Sequence, residues 1–273
     1  MGTSMTFTLK KETFGHYSLK GYRKVLLNFA QGLSTSYWSQ RLGFTLRKLV
    51  LLNTLKVIDG EAFGIKARFY PLDNLADRLF LFLPKIFETY EFIFLKNHLT
   101  PDSVFIDIGA NSGFYSLIAS KIIDNRGKIL AFEPNPVMIE RLRMNISING
   151  KDDIIEVMPF GLADRETEFE LALEPRNLGG STITATNREH KVKIKCVPLF
   201  DAIKDKVSRI DFLKIDIEGA DALVMNAFFK TAPASLYPRF IIIETDENID
   251  MKSLGYKSIA RTRAHNTIYQ LIN

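Results

Sequence analysis

One cysteine, four histidines and no apolar stretch long enough to cross a bilayer set the first limits on this 273-residue chain, since a spanning helix needs roughly 20 apolar residues. The lone Cys196 excludes an internal disulfide and makes an intracellular protein the expectation. The first residues lack the apolar centre of a secretion signal, so the predicted location is cytoplasmic, with a peripheral membrane association as a further expectation. No histidine sits among the acidic residues singled out below, and no metal site is predicted. Tandem repeats and low-complexity segments are also missing.

What is present is enough apolar content, 46%, for one substantial core and an appendage. The charge is uneven. Residues 1–60 hold nine Lys/Arg against Glu12 and Asp59, a net of +7, so a chain total of +5 leaves the remainder at −2. Basicity therefore belongs to the N-terminal segment and does not by itself give the main domain a polyanion partner. Residues 20–57 predict two amphipathic helices parted near Gly32–Ser36. They are candidates for packing on the main domain, for a substrate cap or dimer contact, or for a peripheral membrane contact. A strand or hairpin arm is expected over 62–71, and a helical stretch over 74–98 broken at Pro84. The domain division expected is a basic, largely helical extension over 1–73 and a main domain over 74–273.

The main domain is organised around residues 104–117. Val104, Phe105, Ile106 and Ile108 make a buried strand, Gly109-Ala-Asn-Ser-Gly113 a tight turn, and Phe114 onward a helix predicted to reach 124. Strands then alternate with helices: 128–133, 154–158, 210–216 and 239–244 read as strands, 134–149 and 221–230 as helices, and 201–207 as a short helix. Residues 167–173 and 191–197 read as two further strands flanking a polar, glycine-bearing loop or flap, and 256–259 with 266–271 as a closing pair. That alternation predicts an α/β protein with a parallel sheet covered by helices.

Four strands deliver acids near their carboxyl ends: Asp107, Glu133, Asp216 and Glu244. Ligands bind at that edge of an open α/β sheet. Asp107 reads either as a structural acceptor for its own loop or as a ligand contact. Glu133, in the next strand, stands where a carboxylate accepts from both ribose hydroxyls of an adenosine. The turn lacks the second glycine of G-x-G-x-x-G, which disfavours a dinucleotide pyrophosphate, and no Lys-Ser/Thr pair follows it, which excludes a P-loop. Adenosine bearing an amino-acid tail fits better. Such a tail would meet main-chain donors of the turn and acids such as Asp107 or Glu91.

Phe105-Ile-Asp-Ile-Gly-Ala-Asn-Ser-Gly-Phe-Tyr115, Ala131-Phe-Glu-Pro-Asn-Pro136, Asn145-x3-Asn149, Gly161-Leu-Ala-Asp164 and Leu213-Lys-Ile-Asp-Ile-Glu-Gly-Ala-Asp221 together resemble the FkbM family of S-adenosylmethionine-dependent methyltransferases over about residues 88–245. The resemblance implies a class I methyltransferase (Rossmann-like) three-layer α/β/α sandwich. Its sheet would be mostly parallel and seven-stranded with a reversed terminal strand, here preceded by the N-terminal helical extension. It also implies S-adenosylmethionine as cofactor, held by Asp107, Gly109, Ala110, Asn111 and Gly113 at the methionine portion and by Glu133 at the ribose. Gly161, Leu162 and Asp164 would lie beside adenine, and Glu91 is an additional contact. Leu199-Phe-Asp201 departs from the more usual Thr-Leu-Asp, which obscures the substrate side.

The implied reaction is O-methylation of a sugar, glycan or other small-molecule hydroxyl, with no nucleic acid as partner. The acceptor proton must leave as the new bond forms. Asp216 is the first candidate to accept it or orient the hydroxyl, and Glu218 and Glu244 are second. Lys214 either neutralises these acids or acts chemically. Cys196 reads as a packing residue. Alternative readings are an RNA methyltransferase guided by the basic helices and a binding protein on a methyltransferase fold. The absence of an Asn-Pro-Pro-Tyr-like segment weighs against methylation of base or amide nitrogens.

Overall fold

The computed structural model describes residues 12–52, 56–87, 89–174, 176–180, 191–217, 219–244, 247–262 and 265–272. Two helices open the chain, α1 (Gly21–Gly32) and α2 (Tyr37–Leu51). The Ser36 hydroxyl caps α2 by accepting from the Ser39 N–H. A hairpin of β1 (Ile58–Ala62) and β2 (Ile65–Phe69) follows, so the expected arm near 62–71 is the second strand of a pair that starts earlier. Next come α3 (Leu75–Phe82), capped by Asn74, and α4 (Thr89–His98).

The main sheet starts at β3 (Val104–Ile108). α5 (Phe114–Ala119) is a turn and a half, ending short of the predicted 124. β4 (Lys128–Phe132), α6 (Pro136–Ile148) and β5 (Ile155–Met158) complete one half. The chain then leaves the sheet: β6 (Gly161–Leu162), β7 (Thr167–Ala172) and β8 (Lys191–Val197) form a separate three-stranded sheet in the order β6-β8-β7. It returns through α7 (Leu199–Ile203), slightly before the predicted 201–207, to β9 (Phe212–Ile215), α8 (Asp221–Thr231) and β10 (Phe240–Ile243). β11 (Tyr256–Arg261) and β12 (Thr267–Leu271) close it.

The large sheet has seven strands in the order β11-β12-β10-β9-β3-β4-β5. β3, β4, β5, β9 and β10 are mutually parallel, and β12 runs against β10. This is the class I methyltransferase arrangement, a three-layer α/β/α sandwich with a reversed strand near one edge. The chain leaves β3 toward β4 and later resumes on its other side at β9. The carboxyl ends of β3 and β9 therefore border the crevice where strand order reverses.

Strand alternation divides the core in two. Phe105, Ile129, Phe212, Phe240 and Ile242 face the side covered by α4 and α5, and Ile106, Leu130, Leu213, Ile241 and Ile243 face the side of α7 and α8. The first of these cores also takes in Leu27, Val50, Ile58, Phe69 and Phe80 from the N-terminal segment. The two strands of the β1–β2 hairpin are tied together by a buried ion pair, with Arg68 Nε 2.7 Å from Asp59 Oδ1. On its open edge the Asn145-x3-Asn149 pair of α6 acts as a substitute strand. Asn145 Oδ1 accepts from Arg68 N at 2.9 Å and Asn149 Oδ1 from Lys66 N at 3.1 Å. Residues four apart share a helix face, which is why this spacing satisfies alternate strand amides.

Candidate functional site

The crevice is built on the Gly109–Gly113 turn. Gly109 has φ +75°, and a Cβ there would stand 2.1 Å from the Asp216 carbonyl oxygen, so only glycine lets β3 and β9 end side by side. Asn111 also takes a left-handed φ, +53°. Its Oδ1 accepts from Ser112 N and from Asn74 Nδ2, both at 2.8 Å. Gly109 N and Ala110 N both donate to Phe132 O, Asn111 N donates to Glu133 Oε2, and Gly113 N to Ala110 O. The expected main-chain donors are therefore already engaged within the protein, because the turn needs them to hold its own shape. What this turn presents is carbonyl oxygen and the Asn111 side chain.

Asp107 proves to be the turn's internal anchor. It is fully buried, and its Oδ2 accepts from Ser116 N at 3.1 Å and Ser116 Oγ at 2.6 Å, tying β3 to the first turn of α5. Burial raises its carboxyl above the ordinary range, opposed by the nearby Lys214 cation and the Ser116 bonds. Its side chain lines neither of the cavities described next.

Two cavities meet over this turn. The first, of about 60 Å³, is a largely apolar slot between Phe132, Pro134, Phe160, Gly161, Leu162 and Leu178. The second, of about 240 Å³, is wider and lies between the turn and α3, with Leu75, Leu79, Phe87, Phe114, Tyr115 and Lys214 among its walls. Gly109, Glu133, Gly179 and Asp216 border both, so the cavities are two lobes of one crevice with a waist at these residues.

Glu133 is nearly buried at that waist. Its Oε2 takes the Asn111 N–H at 2.8 Å and its Oε1 the Asn135 N–H at 2.9 Å. Burial pushes its carboxyl up to about 7, and the two backbone donors pull the other way. Asp216 is partly exposed, with Lys214 Nζ 3.4 Å from its Oδ2 and 3.3 Å from Gly109 O. The lysine itself is buried and lies over the Tyr115 ring, 5.2 Å from its centre. A cation so placed neutralises the strand-end acids and projects charge into the wider lobe.

The other expected site residues fall elsewhere. Glu91 is buried between α4 and the terminal strands, where it accepts from Thr262 Oγ1 and, at 2.9 Å, from Asn266 Nδ2. It locks the reversed strand in place instead of facing the crevice. Gly113 is the N-cap of α5, behind the turn. Asp164 pairs with its neighbour Arg165 at the surface, and Glu244 is exposed beyond β10; neither lines a lobe. Glu218 lies outside the described residues. Gly161 and Leu162 do line the narrow lobe. Behind them Cys196 is buried against Gly161 with its thiol pushed up to about 11 by burial, which suits packing.

Several contributors carried no obvious signal in the sequence. Asn74 caps α3 and also donates to Asn111 Oδ1 and, at 3.1 Å, to Ser112 Oγ, so a helix start doubles as a clamp on the turn. Asp77 accepts from Ser112 Oγ and Tyr70 N and is pushed up to about 6 by burial. An Asn followed three residues later by Asp at the head of an apolar run is the readable trace of this cap. From the other side, the 3-10 turn Leu178–Gly180 closes on Asn111: a Cβ at Gly179 would stand 2.1 Å from Asn111 Nδ2. Asn177, Gly179 and Gly180, from the polar, glycine-bearing loop expected between the two further strands, line the wider lobe.

The Methyltransferase FkbM domain matches residues 107–267. Among curated relatives, methyltransferase sdnD of Sordaria araneosa is 25% identical over 198 residues, covering 56% of this chain and 76% of its own length. The hexuronic acid methyltransferase AglP of Haloferax volcanii is 24% identical over 154 residues, covering 56% of this chain, which spans 60% of that protein. Of solved structures, putative transferase PH0793 from Pyrococcus horikoshii superposes with a TM-score of 0.45 at 13% identity, covering 84% of this chain and 80% of that one. An O-methyltransferase from Bacillus cereus in complex with SAH gives 0.42 at 13% identity, over 67% and 81%.

Proposed function

The chain belongs to the FkbM methyltransferase family, and from that premise we propose that it methylates a hydroxyl of a sugar, glycan or other small metabolite. S-adenosylmethionine is its cofactor, and when bound it supplies a methyl group on a sulfonium that is already electrophilic. The crevice fits that molecule: an apolar slot for a purine opens at a waist that carries a carboxylate, Glu133, and widens into a polar-floored lobe. In this reading Phe132, Phe160, Gly161 and Leu162 enclose the base and Glu133 accepts from the ribose hydroxyls. Gly109, Ala110 and Asn111 carry the amino-acid end.

The observation that carries the acceptor assignment is the waist itself, where Asp216 borders both lobes. An acceptor in the wider lobe meets Asp216 just where the narrow lobe ends. Asp216 orients the hydroxyl and takes its proton, and Lys214 at 3.4 Å steadies the carboxylate. The apolar walls Leu75, Leu79 and Phe87 exclude water, so that positioning supplies much of the rate. Support for a sugar-type acceptor comes from the Haloferax relative, a hexuronic acid methyltransferase by name. To test this, the protein is incubated with methyl-labelled S-adenosylmethionine and fractionated cell extract, and the labelled products are analysed by mass. Label in a methyl ether of a small metabolite or glycan is expected; label in a methyl ester, or confined to RNA or protein, would overturn the reading.

A further inference from the structure

The outer face of the α1–α2 hairpin is the largest feature that the crevice does not use. Residues 13–58 contain seven Lys/Arg (Lys20, Arg23, Lys24, Arg41, Arg47, Lys48 and Lys56) and no Asp or Glu. Each helix is apolar on two sides. Leu27 and Ala30 of α1 and Gly43, Leu46 and Val50 of α2 are buried against the body of the protein. On the other side Tyr22, Val25 and Phe29, three and four residues apart, form an exposed stripe on α1. Trp38, Leu42 and Leu49 of α2, with Leu52 at its C-cap, form a second one, with Trp38 79% exposed. Folding uses the inner stripes only, and the outer ones leave large side chains in water that a soluble surface does not require.

We propose that this hairpin seats the protein on the surface of an anionic lipid bilayer. Alternating basic and apolar residues on short helices, with aromatic rings among them, suit an interface whose headgroups are anionic and whose acyl region begins a few ångströms deeper. The basic side chains snorkel toward phosphate while Trp38, Val25, Leu42 and Leu49 enter the acyl boundary. No helix among the described residues is long and apolar enough to cross a membrane, so the contact is peripheral. Other occupants match less of the surface. A second copy would set one acid-free, basic face against another, and RNA would match the charge but leave Val25, Leu42, Leu49 and Leu52 in water.

The hairpin is also fixed to the crevice. Gln31 Nε2 donates to Leu81 O at 2.8 Å, and Lys85 Nζ to Gly32 O at 2.7 Å. α3, which contributes Leu75 and Leu79 to the wider lobe, is thus the element that the hairpin grips. Docking would bring that lobe close to the lipid surface.

Trp38 is the sole tryptophan of the chain, so its emission reports this face alone. The intact protein is titrated with vesicles of phosphatidylcholine alone and with about 30% phosphatidylserine, followed by tryptophan emission and co-sedimentation. Expected are a blue shift and sedimentation with the anionic vesicles, weakened by salt, and neither with the neutral ones. The exposed triple change Lys24→Glu, Arg41→Glu and Lys48→Glu should weaken association at least about tenfold, and Val25→Ser with Leu42→Ser similarly. Circular dichroism and the melting temperature should stay as in the wild type. Failure of the unaltered protein to bind anionic vesicles at low salt overturns the proposal. So does concentration-dependent dimerisation that Trp38→Ser abolishes, or salt-sensitive RNA binding, when either occurs without a vesicle-induced emission shift.

Discussion

The two lobes of the crevice are made from different kinds of sequence. The narrow lobe is built largely from the ends of β3, β4 and β5 and the segments that follow them, among them Gly109, Glu133, Phe160 and Gly161. The wider lobe has the same turn as its floor, but its roof is α3 and Phe87, ordinary apolar residues from the segment before the sheet. One cofactor imposes one set of contacts, so the first wall is chemically constrained. The second wall is shaped by how the N-terminal segment packs, and Leu75 and Leu79 could serve a core as well as a substrate. Differences in acceptor are therefore expected to reside in the roof, and catalysis at the waist where the lobes join.

The sharpest division of the two lobes comes from the waist. Asp216→Asn keeps the shape of the side chain but removes the proton acceptor, and kcat should fall about 10²- to 10⁴-fold. S-adenosylmethionine affinity, measured by calorimetry, should change less than about threefold, because the carboxylate acts on the acceptor side. An equal loss of donor affinity with kcat preserved would assign Asp216 to the donor and redraw the comparison.

Glu133→Ala should do the reverse. It strips two backbone N–H groups, of Asn111 and Asn135, of their acceptor and removes the ribose contact. Donor affinity should drop about 30- to 100-fold, since each bond to a charged group contributes roughly 1.5–3 kcal/mol. The acceptor KM at saturating donor should hold. A variant that binds S-adenosylmethionine as the wild type does would remove Glu133 from the donor side.

The same residue makes donor binding sensitive to pH. Burial raises the Glu133 carboxyl to about 7, and ribose hydroxyls donate best to the ionised form. Affinity for S-adenosylhomocysteine should therefore tighten about tenfold between pH 6 and 8 and then level off, as the ionised fraction rises. Glu133→Gln should flatten the profile. For the free protein the sign is opposite. A carboxyl whose folded pKa is raised favours the folded state at low pH, and that contribution is lost as pH climbs from the ordinary carboxylate range through about 7. Thermal melts of ligand-free protein at pH 5 and 8 should show this loss, and Glu133→Gln should reduce it.

The legible and illegible parts of the molecule follow the same line. β3, β4, β9 and β10 could be placed because each is an apolar run ending in an acid, and the carboxyl-edge crevice followed from them. Glu133 and Asp216 were identifiable as waist residues on that basis. Asp107 was equally conspicuous, but strand pleating turns it toward α5, and its environment depends on Ser116, nine residues on. Glu91 was misplaced for a related reason: its partners Thr262 and Asn266 lie 171 and 175 positions away, beyond any local pattern. The three-stranded side sheet was read as two strands, since a two-residue partner such as β6 leaves no periodic trace. The roof of the wider lobe was read as helix but not as site, because apolar residues lining a cavity and apolar residues filling a core have the same spacing.

That last ambiguity can be broken by the smallest of the expected effects. Leu79 is only half-buried and borders the wider lobe alone, so trimming it leaves no large hole in the core behind α3. Leu79→Ala should raise the acceptor KM about three- to tenfold, the value of one to two methylenes of apolar contact at roughly 0.8 kcal/mol each, while kcat, donor affinity and melting temperature stay near wild type. A comparable drop in melting temperature without a KM effect would show that this position works as core. The donor side would then be the only lobe that its chemistry constrains, and acceptor choice would have to come from the 177–180 loop that faces α3 across the crevice.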